Sequence, residues 1–249
     1  MEKSYIQQAD ELLLSAMKNP YVSNQMRQLA GMDEYTFWHS VSVARMSIVM
    51  GLTYGFGPLE LQQLCDAALL HDIGKLEIPE ECARTKSSLT VLEQESKKRH
   101  PVLGAKRLLA DGVMPQDVVE AVFLHHVNYD GSGPQYYEGD PMINPYVGII
   151  RICDVYDHLA DDHAYREDVI NHKILNVLTA SRGKEFDPDM VSLFLFIKER
   201  GKLDNRSIQR RALGQMENFS THPLGTIAGI PGGKITFSVD LQKRTISSI

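Results

Sequence analysis

The chain has 249 residues, of which 43% are hydrophobic and 23% are charged, as in an ordinary globular protein. Its net charge of −6 and its pI near 5.8 exclude the basic field that non-specific binding to DNA or RNA requires. The N-terminus lacks the apolar region of a signal peptide, and no stretch approaches 18 apolar residues, so we expect no membrane contact. The three cysteines, Cys65, Cys82 and Cys153, are typical of reduced core thiols in a cytoplasmic protein.

Helical periodicity dominates the first 200 residues. Apolar residues recur at three- and four-residue spacing, and Pro, Gly and capping residues interrupt the pattern. Gly74 is expected to end the segment that begins at Pro58. The predicted helices lie at Asp10–Lys18, Asp33–Leu52, Pro58–Gly74, Thr90–Arg99, Val102–Ala110, Pro115–Val127, Pro145–Ala160, Glu167–Thr179 and Pro188–Glu199.

The composition changes after about residue 220. Glycine and proline become frequent, and apolar residues then alternate at Ile235, Phe237 and Val239. Alternation of this kind indicates strands, so we predict a small strand-forming tail with a hairpin turn about Pro231–Gly233.

Five of the nine histidines lie in helical contexts beside carboxylates or beside each other. Taken singly, each is best interpreted as a core or junction histidine that bonds to a backbone carbonyl. Taken together, they offer the imidazole and carboxylate ligands that first-row divalent metals prefer, without the thiolates of a structural zinc site. The candidate ligands are His39, His71, Asp72, His100, His125, His126 and Asp154.

Seven donors exceed the needs of one metal but suit two, if one carboxylate bridges them. Asp72 is the natural bridge, because His71 commits this segment to the same site. Two adjacent metals can bind the oxygens of a phosphoester and lower the pKa of a bridging water, which then becomes hydroxide near neutral pH. Lys75, one helical turn further on, would neutralise developing phosphate charge; the alternative is a solvated lysine at a helix end.

These residues lie in motifs that resemble a known family. LLHDIGKLEIP is similar to the signature of the HD superfamily of metal-dependent phosphohydrolases. Together with YTFWHSVSVA, KKRHPVLGAKRL, HHVNYDGSG, ICDVYDHLADDHAYRE and EFDPDMV, it resembles the HD-GYP subfamily, whose members hydrolyse cyclic di-GMP and, in some cases, cyclic GMP-AMP. The six blocks occur in the family order over most of the chain.

The resemblance implies an all-α HD-domain helical bundle, followed here by a small C-terminal extension with the predicted β-hairpin. We divide the chain into an N-terminal helical segment (1–32) that packs on the core, the HD-GYP catalytic domain (33–204) and an extension of unknown role (205–249). The implied reaction is hydrolysis of cyclic di-GMP to pGpG and onward to GMP. The implied cofactors are two divalent metal ions, iron or manganese.

The family's site residues are carried over by motif. His39, His71, Asp72 and Asp154 match the ligands of one metal, and Asp72, His100, His125 and His126 match those of the second. Asp72 and Lys75 are the implied catalytic residues, because Lys75 matches the lysine that contacts the scissile phosphate. Lys75, Asp130, His163 and Arg166 are the implied substrate contacts.

Three departures from the family pattern concern the rim of the site. Gly133-Pro134-Gln135 replaces Gly-Tyr-Pro, and Tyr136 and Tyr137 are the alternative candidates for a nearby aromatic ring. Tyr35 stands where three-metal members carry a glutamate, so we expect two metals. His163 replaces the first arginine of the Arg-Pro-Tyr-Arg block, and Arg166 retains a basic group.

Two other functions stay open. A cyclic-dinucleotide receptor or protein-interaction module with weak or absent catalysis would explain the altered rim, and an HD hydrolase could act on another phosphoester. No receiver, sensor or membrane segment is recognisable, so control is expected from a homodimer, a signalling-protein partner or the tail. Asp157 and His158 share the helix of Asp154, as supporting contacts to a ligand or as surface residues.

Overall fold

The computed structural model describes residues 3–79, 90–134, 137, 144–160, 167–200, 237–240 and 245–248. The described chain is predominantly helical, which confirms the predicted all-α class. The helices are α1 (Tyr5–Ala16), α2 (Pro20–Met32), α3 (Glu34–Tyr54), α4 (Pro58–Leu70), a 3₁₀-helix (Ile73–Glu77), α5 (Val91–Lys98), α6 (His100–Asp111), α7 (Gln116–Leu124), α8 (Pro145–Ala160), α9 (Glu167–Ala180) and α10 (Pro188–Glu199). The strands are β1 (Phe237–Asp240) and β2 (Thr245–Ser248), paired antiparallel.

Short polar residues determine where several helices begin. The side chains of Ser4, Asn19, Asp33 and Asp187 accept hydrogen bonds from backbone N–H groups in the first turns of α1, α2, α3 and α10. α3 ends at Gly55, which has a φ of 98° and therefore occupies the left-handed region that glycine favours.

α3 runs through the centre of the bundle. Nearly every residue from Phe37 to Gly51 is buried, because α3 packs against α1, α2, α4 and α8. Even Arg45 is buried, and its Nε donates to Asp10 Oδ1 on α1 at 2.6 Å. A helix surrounded in this way can present a polar residue to an internal site without exposing it to bulk water.

Polar contacts join α2 to α6 and to the 3₁₀-helix. Arg107 on α6 donates to Gln25 and Gln28 on α2, at 2.9 and 2.7 Å, and to Glu77 at 2.5 Å. Leu13 of α1 and Leu29 of α2 lie in the same hydrophobic cluster as α3. These contacts describe how α1 and α2 pack; the domain boundaries at 32/33 and 204/205 stay predictions.

One local expectation was wrong, and another lies outside the described residues. The tail contains a hairpin that pairs 237–240 with 245–248, whereas the predicted turn at Pro231–Gly233 lies outside the part of the chain that the structure describes. Gly74 does not end α4, which stops at Leu70; it lies inside the following 3₁₀-helix. A Cβ on Gly74 would stand 2.0 Å from the backbone oxygen of His100, so the glycine permits close packing against α6.

Helix α2 was not singled out from the sequence, and α1 begins five residues before the predicted start. Cys65 and Cys153 are free and buried, as predicted, and Cys82 lies outside the described residues. Among the described helices, none is both long and apolar enough to cross a bilayer.

Candidate metal centre

The seven candidate ligands come from the ends and inner faces of helices that meet in the bundle. His39 lies on α3 and Asp154 on α8, whereas His71 and Asp72 connect α4 to the 3₁₀-helix. His100 is the first residue of α6, and His125 and His126 directly follow α7. Except for His126, which is partly exposed, all of them are buried.

Backbone carbonyls orient three of the histidines. His71, His100 and His125 each direct Nδ1 at the carbonyl oxygen three residues earlier in the chain. The acceptors are Ala68, Lys97 and Val122, at 2.8, 2.8 and 2.7 Å. Because a carbonyl only accepts, the proton is on Nδ1, and the Nε2 lone pair is free to bind a cation.

His39 and His126 are oriented by side chains instead. His39 Nδ1 donates to Asp157 Oδ2 at 2.8 Å, an arrangement in which a carboxylate fixes the tautomer of a metal-binding imidazole. His126 Nδ1 faces Arg151 Nη1 at 3.4 Å. Tyr35 occupies the position of the glutamate in three-metal relatives, and its ring lies parallel to that of His39, 6.3 Å away.

The first donor group consists of His39, His71, Asp72 and Asp154. His39 Nε2 lies 3.0 Å from Asp154 Oδ1 and 3.9 Å from Asp72 Oδ2. His71 Nε2 lies 3.4 Å from Asp72 Oδ2 and 4.0 Å from Asp154 Oδ1. Two donors bound to one first-row cation at about 2.1 Å are themselves roughly 3–4 Å apart, so these separations suit a shared ion.

The second donor group consists of Asp72, His100, His125 and His126. His100 Nε2 lies 3.1 Å from both Asp72 Oδ1 and His125 Nε2. One ring nitrogen from each of the three histidines lies within 4.8 Å of those of the other two. Asp72 therefore turns Oδ2 to the first donor group and Oδ1 to the second, which is the arrangement of a bridging carboxylate.

The protonation states favour binding of a cation. Burial alone would raise the pKa of Asp72 and of Asp154, but Lys75 and His71 hold the pKa of Asp72 well below its usual value, and His158 and His39 do the same for Asp154. Both carboxyl groups are therefore ionised.

The pKa shifts of the histidines differ in direction: those of His125 and His126 are lowered, and that of His39 is raised. Burial, reinforced by neighbouring histidines, lowers the pKa of His125 and brings that of His126 to about 3, so both are neutral ligands. Burial opposes a charge on His39, but the carboxylates of Asp154 and Asp157 outweigh it and raise its pKa to about 10. A cation bound here would take the place of that proton.

Unpaired buried atoms test whether these residues fit a metal. His39 Nε2, His71 Nε2 and Asp154 Oδ1 are buried, and none has a hydrogen-bond partner among the described residues. Although His39 Nε2 and Asp154 Oδ1 are only 3.0 Å apart, they do not meet in hydrogen-bonding geometry. Buried polar atoms without partners are costly, and a cation would satisfy all three, so the donor set fits.

The candidate substrate contacts differ in burial: Lys75 is buried, whereas Asp130 is exposed. Lys75 Nζ contacts Asp72 Oδ2 at 2.5 Å. Asp130 is exposed and accepts hydrogen bonds from the Ser132 N–H and hydroxyl, at 2.9 and 2.6 Å. These hydrogen bonds hold the pKa of Asp130 below its ordinary value.

Several residues at the rim lie outside the described part of the chain. They are Gln135, Tyr136, His163 and Arg166. Tyr137 is described; it is buried in the hydrophobic cluster, so its ring belongs to the core rather than to an exposed rim.

The sequence did not decide whether Asp157 and His158 contact a metal ligand or lie at the surface. The structure places both at the centre: Asp157 orients His39, and His158 Nδ1 lies 2.9 Å from Asp154 Oδ1. For His158, the sequence signal was its spacing of four residues from a predicted ligand on one helix face. For Asp157 there was no comparable signal, because its partner lies 118 residues away.

The helical domain thus gathers histidines and aspartates between its helices, in groups that could hold metal ions. Residues 36–159 match the family model of the HD domain. The chain belongs to the HD domain family, and the resemblance inferred from its motifs is confirmed.

The curated relatives share named activities. The chain is 28% identical to the cyclic di-GMP phosphodiesterase PA4108 of Pseudomonas aeruginosa, over 75% of this chain and 45% of that protein. It is 33% identical to the cyclic di-GMP phosphodiesterase response regulator RpfG of Xanthomonas campestris pv. campestris, over 74% and 48%. It is 31% identical to the 3′3′-cGAMP-specific phosphodiesterase 2 of Vibrio cholerae, over 57% and 27%.

A solved structure shows the same fold. Bd1817, an HDG"Y"P protein from Bdellovibrio bacteriovorus, superposes with a TM-score of 0.55 and 19% sequence identity, covering 80% of this chain and 74% of that one. At that identity the likeness concerns the fold alone. The chain spans about half the length, or less, of the curated relatives named above.

Proposed function

We propose that this domain is a metal-dependent phosphodiesterase that hydrolyses a cyclic dinucleotide, converting cyclic di-GMP to pGpG and onward to GMP. The observation that carries the proposal is the position of Asp72, whose two carboxylate oxygens face two separate sets of imidazoles. The names of the curated relatives support the same substrate class.

In this proposal the first and second donor groups each hold one divalent cation, iron or manganese. Bound there, two cations would bind the phosphodiester oxygens and lower the pKa of a water molecule. His71, His100 and His125 keep their Nδ1 protons on backbone carbonyls, so each presents a neutral Nε2 without rearrangement.

Asp72 and Lys75 are the proposed catalytic pair. The Lys75 ammonium group keeps Asp72 ionised and retains two further N–H donors for a phosphoryl oxygen. Because Lys75 is buried, its charge acts with little screening by water.

Asp130, His163 and Arg166 are the proposed substrate contacts beyond the metals. Asp130 is fixed at the surface by Ser132, and its backbone N–H donates to the carbonyl of Lys184 at 3.0 Å. These bonds hold Asp130 in place without using a metal ligand.

A turnover assay tests the proposal. The protein is loaded anaerobically with iron(II), or with manganese(II), the bound metal is counted, and cyclic di-GMP is supplied. Formation of pGpG is expected, and a parallel assay with 3′3′-cGAMP defines the preference. Two bound ions without cleavage of either nucleotide would contradict the proposal.

One specific observation favours a second function, that of a cyclic-dinucleotide receptor. Gly133-Pro134-Gln135 departs from the family loop while the metal ligands are complete. Tight binding of cyclic di-GMP by the metal-loaded protein without turnover is the result that this alternative predicts. A homodimer, a signalling-protein partner and a cytoplasmic location stay predictions.

A further inference from the structure

We propose that His158 is an additional ligand of the cation held by the first donor group, so that this position has five protein donors and the other has four. The inference rests on the proposed metal centre and adds to it a residue that the motifs of the sequence did not assign.

The position of the His158 ring is the first argument. Its Nδ1 lies 2.9 Å from Asp154 Oδ1, the oxygen that also lies 3.0 Å from His39 Nε2. The same Nδ1 lies 3.1 Å from the backbone carbonyl oxygen of Asp154, so without metal it carries a proton; binding of a cation through Nδ1 would place the ring proton on Nε2 instead. The rings of His39 and His158 are 4.2 Å apart between centroids and inclined at 65°. One donor atom each from His39, Asp154 and His158 lies within 4.8 Å of the others, as in the other two clusters.

The helix explains how two ligands reach one ion. Asp154 and His158 are four residues apart on α8, so their side chains project from one face about one turn apart. Pairs of ligands at this spacing on a single helix bind one metal in other proteins. His158 is nearly half exposed, with 48% of its side chain accessible, so it closes the solvent side of the cluster while His39 and Asp154 lie inside.

His39 shows that this cluster is not a third metal position. Each imidazole nitrogen binds one ion, and Nδ1 of His39 is committed to Asp157, which leaves only Nε2. His39 belongs both to the cluster with Asp154 and His158 and to the cluster with His71 and Asp72, and Nε2 is the nitrogen that it can offer to either. Both clusters therefore serve the same cation.

The consequence is an asymmetric pair of ions. The first position is surrounded by His39, His71, Asp72, Asp154 and His158, and the second by Asp72, His100, His125 and His126. An ion with fewer protein donors retains more positions for exchangeable ligands. The second position is thus the one with more room for a phosphoryl oxygen of the substrate.

Three variants test the proposal, with manganese(II) as the probe and the full chain in equilibrium with a competing chelator. His158→Ala removes the imidazole. His158→Asn keeps an amide N–H that can still donate to Asp154 but lacks the ring nitrogen. His172→Ala is the matched control, because His172 is an exposed histidine on α9 outside the cluster.

We expect His158→Ala and His158→Asn each to lower the affinity of one of the two ions at least about tenfold, while His172→Ala behaves like the wild type. A structure of the manganese-loaded wild type should show a His158 ring nitrogen about 2.1 Å from one ion. Wild-type affinity in His158→Ala, or its recovery in His158→Asn, would overturn the proposal and indicate a hydrogen-bonding role. These results leave the proposed function intact, whereas a wild type that binds no manganese contradicts both.

Discussion

The metal centre and the loop from Asn128 to Gly133, which follows the ligand His126 in sequence, differ in burial and in the bonds that hold them. All ligands of the centre except His126 are buried, and its imidazoles are oriented by hydrogen-bond partners such as Asp157 for His39. The loop is partly exposed, and backbone bonds hold it, from Asn128 N–H to the carbonyl of Ser132 and from Asp130 N–H to the carbonyl of Lys184. Arg151 links the two regions, since its guanidinium lies 3.3 Å from Asn128 Oδ1 and 3.4 Å from His126 Nδ1. A substitution in the centre should therefore affect metal binding and stability together, whereas one in the loop should affect neither strongly.

The largest effect is expected for Asp72→Ala. Both donor groups lose their shared carboxylate, so binding at both metal positions should be abolished and hydrolysis should fall to background. The metal-free protein should also lose about 3–5 kcal/mol of stability, because Lys75 is left buried without its partner. Metal analysis and chemical denaturation measure the two effects; a normally occupied pair of ions in this variant would refute the bridge.

Gly74→Ala should distort the centre without removing a ligand. The added methyl group would stand 2.0 Å from the backbone oxygen of His100, and a backbone atom cannot move aside cheaply. We expect a loss of about 3 kcal/mol or more, with weaker metal binding because His100 must shift.

Gly57→Ala is the matched control for this glycine. A Cβ at Gly57 would meet nothing closer than Glu60 Oε2 at 3.5 Å, and it precedes α4 rather than the ligands. Its cost should stay below about 1 kcal/mol, with normal metal content. Equal losses in the two variants, by thermal unfolding, would show that the close packing of Gly74 against α6 is unimportant.

Asp66→Asn should stabilise the protein in a pH-dependent manner. Burial raises the pKa of Asp66 to about 6, although Gln62 donates to it. Because this pKa exceeds the unfolded value near 3.8, the protonated form is favoured in the fold, and stability is lost as the pH rises from about 4 through 6.

The asparagine variant avoids that loss. It should exceed the wild type by up to about 3 kcal/mol above pH 7 and approach it near pH 4. Urea unfolding of metal-free protein at a series of pH values measures the difference, and metal loss on acidification then makes no contribution. If the stability difference between the two proteins does not grow with pH, the raised pKa of Asp66 is contradicted.

The smallest effect is expected for Asp130→Ala. Among the described residues, its carboxylate accepts hydrogen bonds from Ser132, within the loop itself. Two metal ions per chain and a nearly unchanged melting temperature are expected, with any effect confined to KM for the dinucleotide. Loss of a metal ion would show that the loop and the centre are not independent.

Residues that belong to a local motif could be predicted from the sequence, whereas contacts between distant segments could not. Ligands such as His71 and His125 were predictable because each ends a buried apolar stripe and belongs to a motif. Helical periodicity predicted most of the helices, and the family resemblance implied the all-α class. The bond from Asp157 to His39 and the approach of Gly74 to His100 were not predictable, because each depends on how two distant segments pack.

The hairpin illustrates a different limit. Alternating apolar residues predicted a strand in the tail, and Phe237 and Val239 do lie in β1. Its partner β2 was not predicted, because no local pattern specifies which segment pairs with which. Only the pairing of Phe237 with Ser248 gives the register of the tail.

The central claim is that one carboxylate joins two cations in a single centre. Electron paramagnetic resonance of the protein loaded with two equivalents of manganese(II) tests it most directly, because ions bridged by Asp72 interact magnetically. The account predicts the spectrum of an exchange-coupled pair in the wild type. A spectrum of isolated ions only, with both equivalents bound, would contradict it.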